Sequence, residues 1–360
     1  MYKEMISALV CIVAVLLVSG PAAAQQEQLK EAVSASARAF SFQPVEYIPK
    51  DPGDSPATVP AGINDSGIVV GTIIHPASFQ SPSACWNGAC GPEMFIREDG
   101  KLQLLTGPAY QGHFTSAVGI NNRDQILLVQ QNNSGMMNQH DKYFLYDMKS
   151  KSFRPVSPFV QVAGSAAPIR MMRITGLNDA GQIVGFYRYK GKLWGAWGEP
   201  VLGSAGSTDE PTEGARLAPI ECPEGRNTKA LAINNRGEIT GSCEGGNRPP
   251  ARRGFVFRDG SMTLFDAPGA NLTEGNAIND AGVVVGEYTL KPLHAGLWPV
   301  TGFAWDGTNF VPVVMHGGTQ GMASRATGIN NHGQIVGADG DAGRGFIAAP
   351  TARNPLRSAR

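Results

Sequence analysis

One short motif occurs six times along this chain, and no other feature restricts its fold as strongly. The copies are Gly62-Ile63-Asn64-Asp65-Ser66-Gly67, Gly119-Ile120-Asn121-Asn122-Arg123-Asp124, Gly176-Leu177-Asn178-Asp179-Ala180-Gly181, Ala232-Ile233-Asn234-Asn235-Arg236-Gly237, Ala277-Ile278-Asn279-Asp280-Ala281-Gly282 and Gly328-Ile329-Asn330-Asn331-His332-Gly333. Counted from Ile63 through Ile120, Leu177, Ile233, Ile278 and Ile329, the steps are 57, 57, 56, 45 and 51 residues. A period of that length matches a four-stranded propeller blade.

Each copy reads as a hairpin turn. Asn opens it, two residues tolerate the right-handed region, and Gly follows where the chain must turn left-handed, which describes a type I turn with a G1 bulge. Asn64, Asn121, Asn178, Asn234, Asn279 and Asn330, with Gly67, Gly181, Gly237, Gly282 and Gly333, are therefore structural turn residues. The Asp or Asn beside each of them is assigned to the turn as well, because a catalytic carboxylate has no reason to recur six times. A second strand follows each turn and carries an internal glycine, as in Ile68-Val69-Val70-Gly71 and Val283-Val284-Val285-Gly286. The second copy departs from this, with Asp124 at the turn and Leu128 in the strand, and is expected to have an altered turn and looser packing.

Third strands recur as Met94–Arg97, Tyr143–Tyr146, Leu193–Trp197, Gly254–Phe257, Gly302–Trp305 and Gly345–Ile347. Asp99-Gly100, Asp259-Gly260 and Asp306-Gly307 are hairpin signals after three of them. Fourth strands follow at Leu102–Leu105, Phe153–Val156, Leu217–Ile220, Met262–Phe265 and Phe310–Val313, and Pro155, Pro219 and Pro312 inside them suit an outer edge. The sixth repeat stops near Pro350 without a fourth strand, whereas residues 42–48 (Phe42 to Ile48) precede the first repeat and resemble one. The expected fold is thus all-β, a six-bladed propeller over 40–350 whose N-terminal strand completes the last blade.

The first 24 residues read as a secretory signal peptide, with Lys3, an apolar run from Ile6 to Val18 and small residues through Ala24. Residues 25–39 and 351–360 are then short flanking segments, and the mature protein is expected to be secreted or periplasmic, without a membrane span, and monomeric. Export makes disulfides the expected state of Cys85, Cys90, Cys222 and Cys243. Sequence proximity suggests Cys85 with Cys90 and Cys222 with Cys243, although three connectivities exist. Lys+Arg 30 against Asp+Glu 30 supplies no electrostatic case for nucleic acid.

Tight turns fall on one face of such a disc and long connections on the other: 75–93, 131–142, 244–253, 289–301, 49–61, 107–118 and 316–327. The long-connection face is the expected recognition face. Its candidate residues are Trp86 and Trp298 for stacking, Arg252 and Arg253 with Arg248 for an anion, and His140 and His294 for acid–base work. Asp339, Gly340 and Asp341 make a fragment of a calcium loop without its closing Glu, so neither a metal nor a cofactor is expected. Neither a nucleophile elbow nor a zincin or phosphate-loop motif occurs.

The run Phe265-Asp266-Ala267-Pro268-Gly269-Ala270, leading into Asn276-Ala277-Ile278-Asn279-Asp280-Ala281-Gly282-Val283-Val284-Val285-Gly286-Glu287-Tyr288, resembles the probable extracellular repeats of the HAF family. The resemblance spans about 40–350, although Gly-Phe stands at 254, 302 and 345 where the family name implies His-Ala-Phe. It implies a bacterial exported protein and carries no catalytic residues over. Two functional expectations follow. One is a non-enzymatic scaffold that binds a protein or glycan through the long-connection face. The other is a polysaccharide hydrolase or lyase whose catalytic groups converge near the axis from separate repeats, leaving no linear motif.

Overall fold

The computed structural model describes residues 31–49, 56–75, 92–105, 113–132, 141–245, 251–290, 300–315, 324–340 and 343–357. The fold is all-β, organised as antiparallel four-stranded sheets in chain order. Ala57–Ile63, Val69–Ile74, Glu93–Glu98 and Lys101–Leu105 form one such sheet, and His113–Ile120, Gln125–Asn132, Lys142–Asp147 and Ser152–Val156 form the next. In the third repeat, Phe159–Val160 adds a fifth strand beside Ile169–Leu177. The fourth and fifth repeats share one eight-stranded sheet, but only a single parallel residue pair, Arg252 with Leu272, joins their halves.

The sixth repeat supplies Ser324–Ile329, Ile335–Asp339 and Arg344–Pro350, and the N-terminal strand Phe40–Val45 pairs antiparallel with the last of these, Phe40 opposite Pro350 and Val45 opposite Gly345. This strand lies earlier than the 42–48 expected from sequence. Burial explains the shift: Phe40 and Val45 are enclosed, whereas Ile48 is 87% exposed and lies outside the strand. The segment before it is helical over 31–39 and docked. The buried Ser36 hydroxyl donates to the Val314 carbonyl at 3.1 Å and accepts the Val314 N–H at 2.9 Å, beside the outer strand Phe310–Val313. Fourth strands form the outer edges, as their prolines require.

The second-strand glycines hold the sheets together at close range. A Cβ on Gly241 would lie 1.9 Å from the Lys229 carbonyl oxygen and 3.0 Å from the Phe255 ring, and one on Gly337 would meet Arg325 O at 2.0 Å and Phe346 at 2.6 Å. Each of these phenylalanines is the cross-strand partner of its glycine and is fully buried. In the third repeat Ala196 replaces the phenylalanine, and the Met171 methyl fills the space over Gly185. The second repeat corrects the sequence expectation. Leu128 is fully buried among Val70, Met94, Ala117, Ile126 and Phe144, so its strand is not loosely packed. Asp124 takes φ 62° at the turn and keeps the hairpin, because a short polar side chain tolerates the left-handed region.

Cys222 and Cys243 form a disulfide with Cα atoms 5.7 Å apart. It joins the exit of the third repeat to the second strand of the fourth. Cys85 and Cys90 lie outside the described residues, as do residues 1–24.

Candidate functional site

The six first strands end around one cavity of about 120 Å³, lined by residues of all six motif copies. Each strand has a register shift just before the turn, at Pro60/Gly62, Ala117/Gly119, Ile174/Gly176, Ala230/Ala232, Gly275/Ala277 and Ala326/Gly328. The residue after each shift is Gly or Ala, and contact distance is the reason. A Cβ on Gly62 would stand 3.2 Å from the Gly119 Cα, and one on Gly328 would stand 3.0 Å from the Gly62 Cα.

At the turns the repeated asparagines do more than open hairpins. Within a repeat, the Oδ1 accepts the backbone N–H four residues on, as Asn178 does from Gln182 at 3.0 Å. Between repeats, the Nδ2 donates to the backbone carbonyl of the next repeat's asparagine. Asn64 donates to Asn121 at 3.5 Å, Asn121 to Asn178 at 3.1 Å, Asn178 to Asn234 at 3.1 Å, Asn234 to Asn279 at 2.9 Å and Asn279 to Asn330 at 3.1 Å. Asn330 donates to Asn64 at 3.0 Å, so the series returns to its start. All six asparagines are buried.

The neighbouring residues form a second cycle with alternating chemistry: Asp65, Asn122, Asp179, Asn235, Asp280 and Asn331. Every backbone N–H donates to the side-chain oxygen of the next member at 2.7 or 2.8 Å, and Asn331 donates to Asp65. Asn235 Nδ2 bridges the Oδ2 atoms of Asp179 and Asp280 at 2.8 and 2.9 Å, and Asn331 bridges those of Asp280 and Asp65 at 2.8 and 2.9 Å. Amide donors face carboxylate acceptors on both sides, an arrangement possible around a cycle only with an even number of members. Asp65 thereby accepts two donors from the cycle, and Asp179 and Asp280 three each. Thr327 adds another link of the same kind, donating to Pro60 O at 2.7 Å.

The other end of the first strands carries charge. Arg173, Lys229, Glu274 and Arg325 occupy one equivalent position there, each with its carbonyl oxygen against the second-strand glycine of its own repeat. Lys229 and Arg252 both reach Glu244 Oε1, at 2.8 and 2.7 Å, and Arg252 also reaches Glu274 at 3.2 Å. Glu274 and Glu287 are direct cross-strand partners. Burial pushes the Glu287 carboxyl above its ordinary range, Arg325 opposes that shift, and the Glu274 charge reinforces it.

Of the sequence candidates, Arg252 and Arg253 are described. Arg252 lies in the cluster above, and Arg253 is paired with Asp266, Nη2 to Oδ2 at 2.7 Å. Both sit at the start of the strand Arg252–Arg258, where their carboxylate partners tie neighbouring chain segments together. Trp86, His140, His294, Trp298 and Arg248 lie outside the described residues. Asp339 is buried at the end of its strand, and Asp341 is outside. Among the described residues no three His, Cys, Asp or Glu side chains converge as a metal would require, and no helix is long and apolar enough to cross a membrane. Sequence reasoning missed Glu274 and Glu287. The only trace in the chain was a glutamate on each of two adjacent β-strands.

No protein-family model and no curated protein matches the chain. Several solved structures are similar to it at low identity. The β-propeller domain of the Trilobed protease from Pyrococcus furiosus is similar at 12% identity and TM-score 0.39, over 78% of this chain and 77% of that one. A protein of unknown function from Dyadobacter fermentans is similar at 12% identity and TM-score 0.48, over 86% and 99%. A gluconolactonase from Xanthomonas campestris is similar at 12% identity and TM-score 0.43, over 83% and 88%.

Proposed function

We propose that the chain is an exported, closed six-bladed β-propeller of the HAF repeat type, and that it works as a non-enzymatic scaffold that binds a protein or glycan partner on its long-connection side. The observation that carries this reading is the pair of hydrogen-bond cycles running from Asn64 round to Asn330 and from Asp65 round to Asn331. They engage the recurrent polar residues in holding repeat to repeat, so recognition falls to the connections that differ between repeats. The Cys222–Cys243 disulfide fits an oxidising compartment. The test is a glycan array and a cross-linking capture with the purified mature protein, followed by product analysis on every hit. Binding without turnover supports the scaffold, and product formation overturns it.

A propeller-type polysaccharide hydrolase or lyase is the second reading. The facing carboxylates Glu274 and Glu287 favour it, because one holds its proton more tightly than usual beside the other. Loss of turnover in Glu287→Gln, with ligand binding retained, would select this reading.

A further inference from the structure

Glu274 and Glu287 form a like-charge pair directly across two strands, an arrangement that strand pairing disfavours. Both side chains are largely enclosed, at 17% and 16% exposure. Their partners are unequal. Glu274 accepts from Arg252 at 3.2 Å and from the Ser242 hydroxyl at 2.8 Å. Glu287 is met by Arg325, Nε to Oε2 at 3.3 Å, and that arginine side chain is 53% exposed. More than half of the Arg325 side chain is thus open to solvent, while its internal partner sits in a place unfavourable to a second negative charge. Arg173 and Lys229 hold the equivalent position on two other first strands, with Lys229 paired to Glu244 and Glu274 as the remaining occupant.

We propose that Arg325 anchors the carboxylate group of a ligand at this end of the axis, and that Glu287 is the internal carboxylate that the ligand displaces. The inference rests on the long-connection side being the recognition side. Exchanging one carboxylate for another on the guanidinium strands no cation, and the released Glu287 takes up a proton beside Glu274. The Glu287 proton is the one that moves. Because burial already raises the affinity of Glu287 for that proton, binding tightens as pH falls from neutrality toward the carboxylate range.

The test is calorimetric titration of the mature protein with glucuronate, with a glutamyl dipeptide as a second carboxylate and glucose as a neutral control, at about pH 5 and about pH 8. Both carboxylates should bind, more tightly at the lower pH, and glucose should not. Arg325→Met should weaken binding by roughly tenfold or more, and Arg325→Lys by less. Glu287→Gln should bind equally at both pH values, and Lys101→Met, on an outer strand, should behave as wild type. Absence of carboxylate binding, or undiminished affinity in both Arg325 variants with unchanged thermal unfolding, overturns the proposal. A partner captured equally by wild type and Arg325→Met overturns this site and leaves the scaffold standing. Glucuronate binding that depends on Arg325, with no macromolecular partner found, does the reverse.

Discussion

Replacing Asn330 with alanine removes four contacts at the seam where the last repeat meets the first. The Nδ2 no longer donates to Asn64 O at 3.0 Å or to Gln334 Oε1 at 2.8 Å, and the Oδ1 no longer accepts from Gln334 N–H at 2.9 Å or His332 N–H at 3.1 Å. The Asn64 carbonyl keeps one partner, the Gly67 N–H at 3.0 Å. The Gln334 N–H has no such reserve. One orphaned, part-buried donor costs about 1 kcal/mol, the low end for such groups, and each other lost bond about 1 kcal/mol where water does not replace it, so the expected loss is about 2–3 kcal/mol. Urea unfolding followed by fluorescence measures it as a lower midpoint at unchanged slope. The same substitution at Asn178, inside the chain of repeats, removes the counterparts of three of these four bonds and should cost the same within about 1 kcal/mol. If Asn178→Ala is costly while Asn330→Ala shifts stability by less than about 0.5 kcal/mol, the seam is not latched and the closed ring is refuted.

Three other perturbations test separate parts of the structure. Reducing Cys222–Cys243, which are 21 residues apart, should remove about 3 kcal/mol in the same urea assay, and a shift no larger than that of a Cys222→Ala/Cys243→Ala control treated with the same reductant would contradict this. Glu287→Gln should raise the unfolding midpoint above the carboxylate range. The wild-type carboxyl binds its proton more tightly when folded, so its stabilising contribution is complete at low pH and disappears as pH rises through the raised value; a flat difference across pH argues otherwise. Leu128→Ala should cost about 2–5 kcal/mol because the side chain is fully enclosed, whereas the loose packing expected from sequence alone would make it nearly neutral.

Much of the architecture was legible because its determinants are local. Asn followed three residues later by Gly specifies a turn wherever it occurs, and six copies at blade spacing imply a repeating sheet. Prolines at 155, 219 and 312 identified outer strands before any pairing was known, since a missing N–H cannot serve a central ladder. The docking of residues 31–39 was not legible, because Ser36 bonds to the backbone of Val314, 278 residues away. The asparagines were half read. Their turn role lies within four residues, but their donation to the next repeat spans 45 to 57 positions, or 266 between the last and first copies, and exists only once folding brings the repeats side by side.

The same division separates the two ends of the axis. By itself the chain determined the strand order, the turn chemistry and the even count of motifs that lets amides alternate with carboxylates, because these follow from residue type and spacing. Only the tertiary structure decided that Asp65, Asp179 and Asp280 each accept donors from neighbouring repeats while Glu287 shares its surroundings with Glu274, Arg252 and the half-exposed Arg325. Charge acts through space, and the groups that set it come from different repeats.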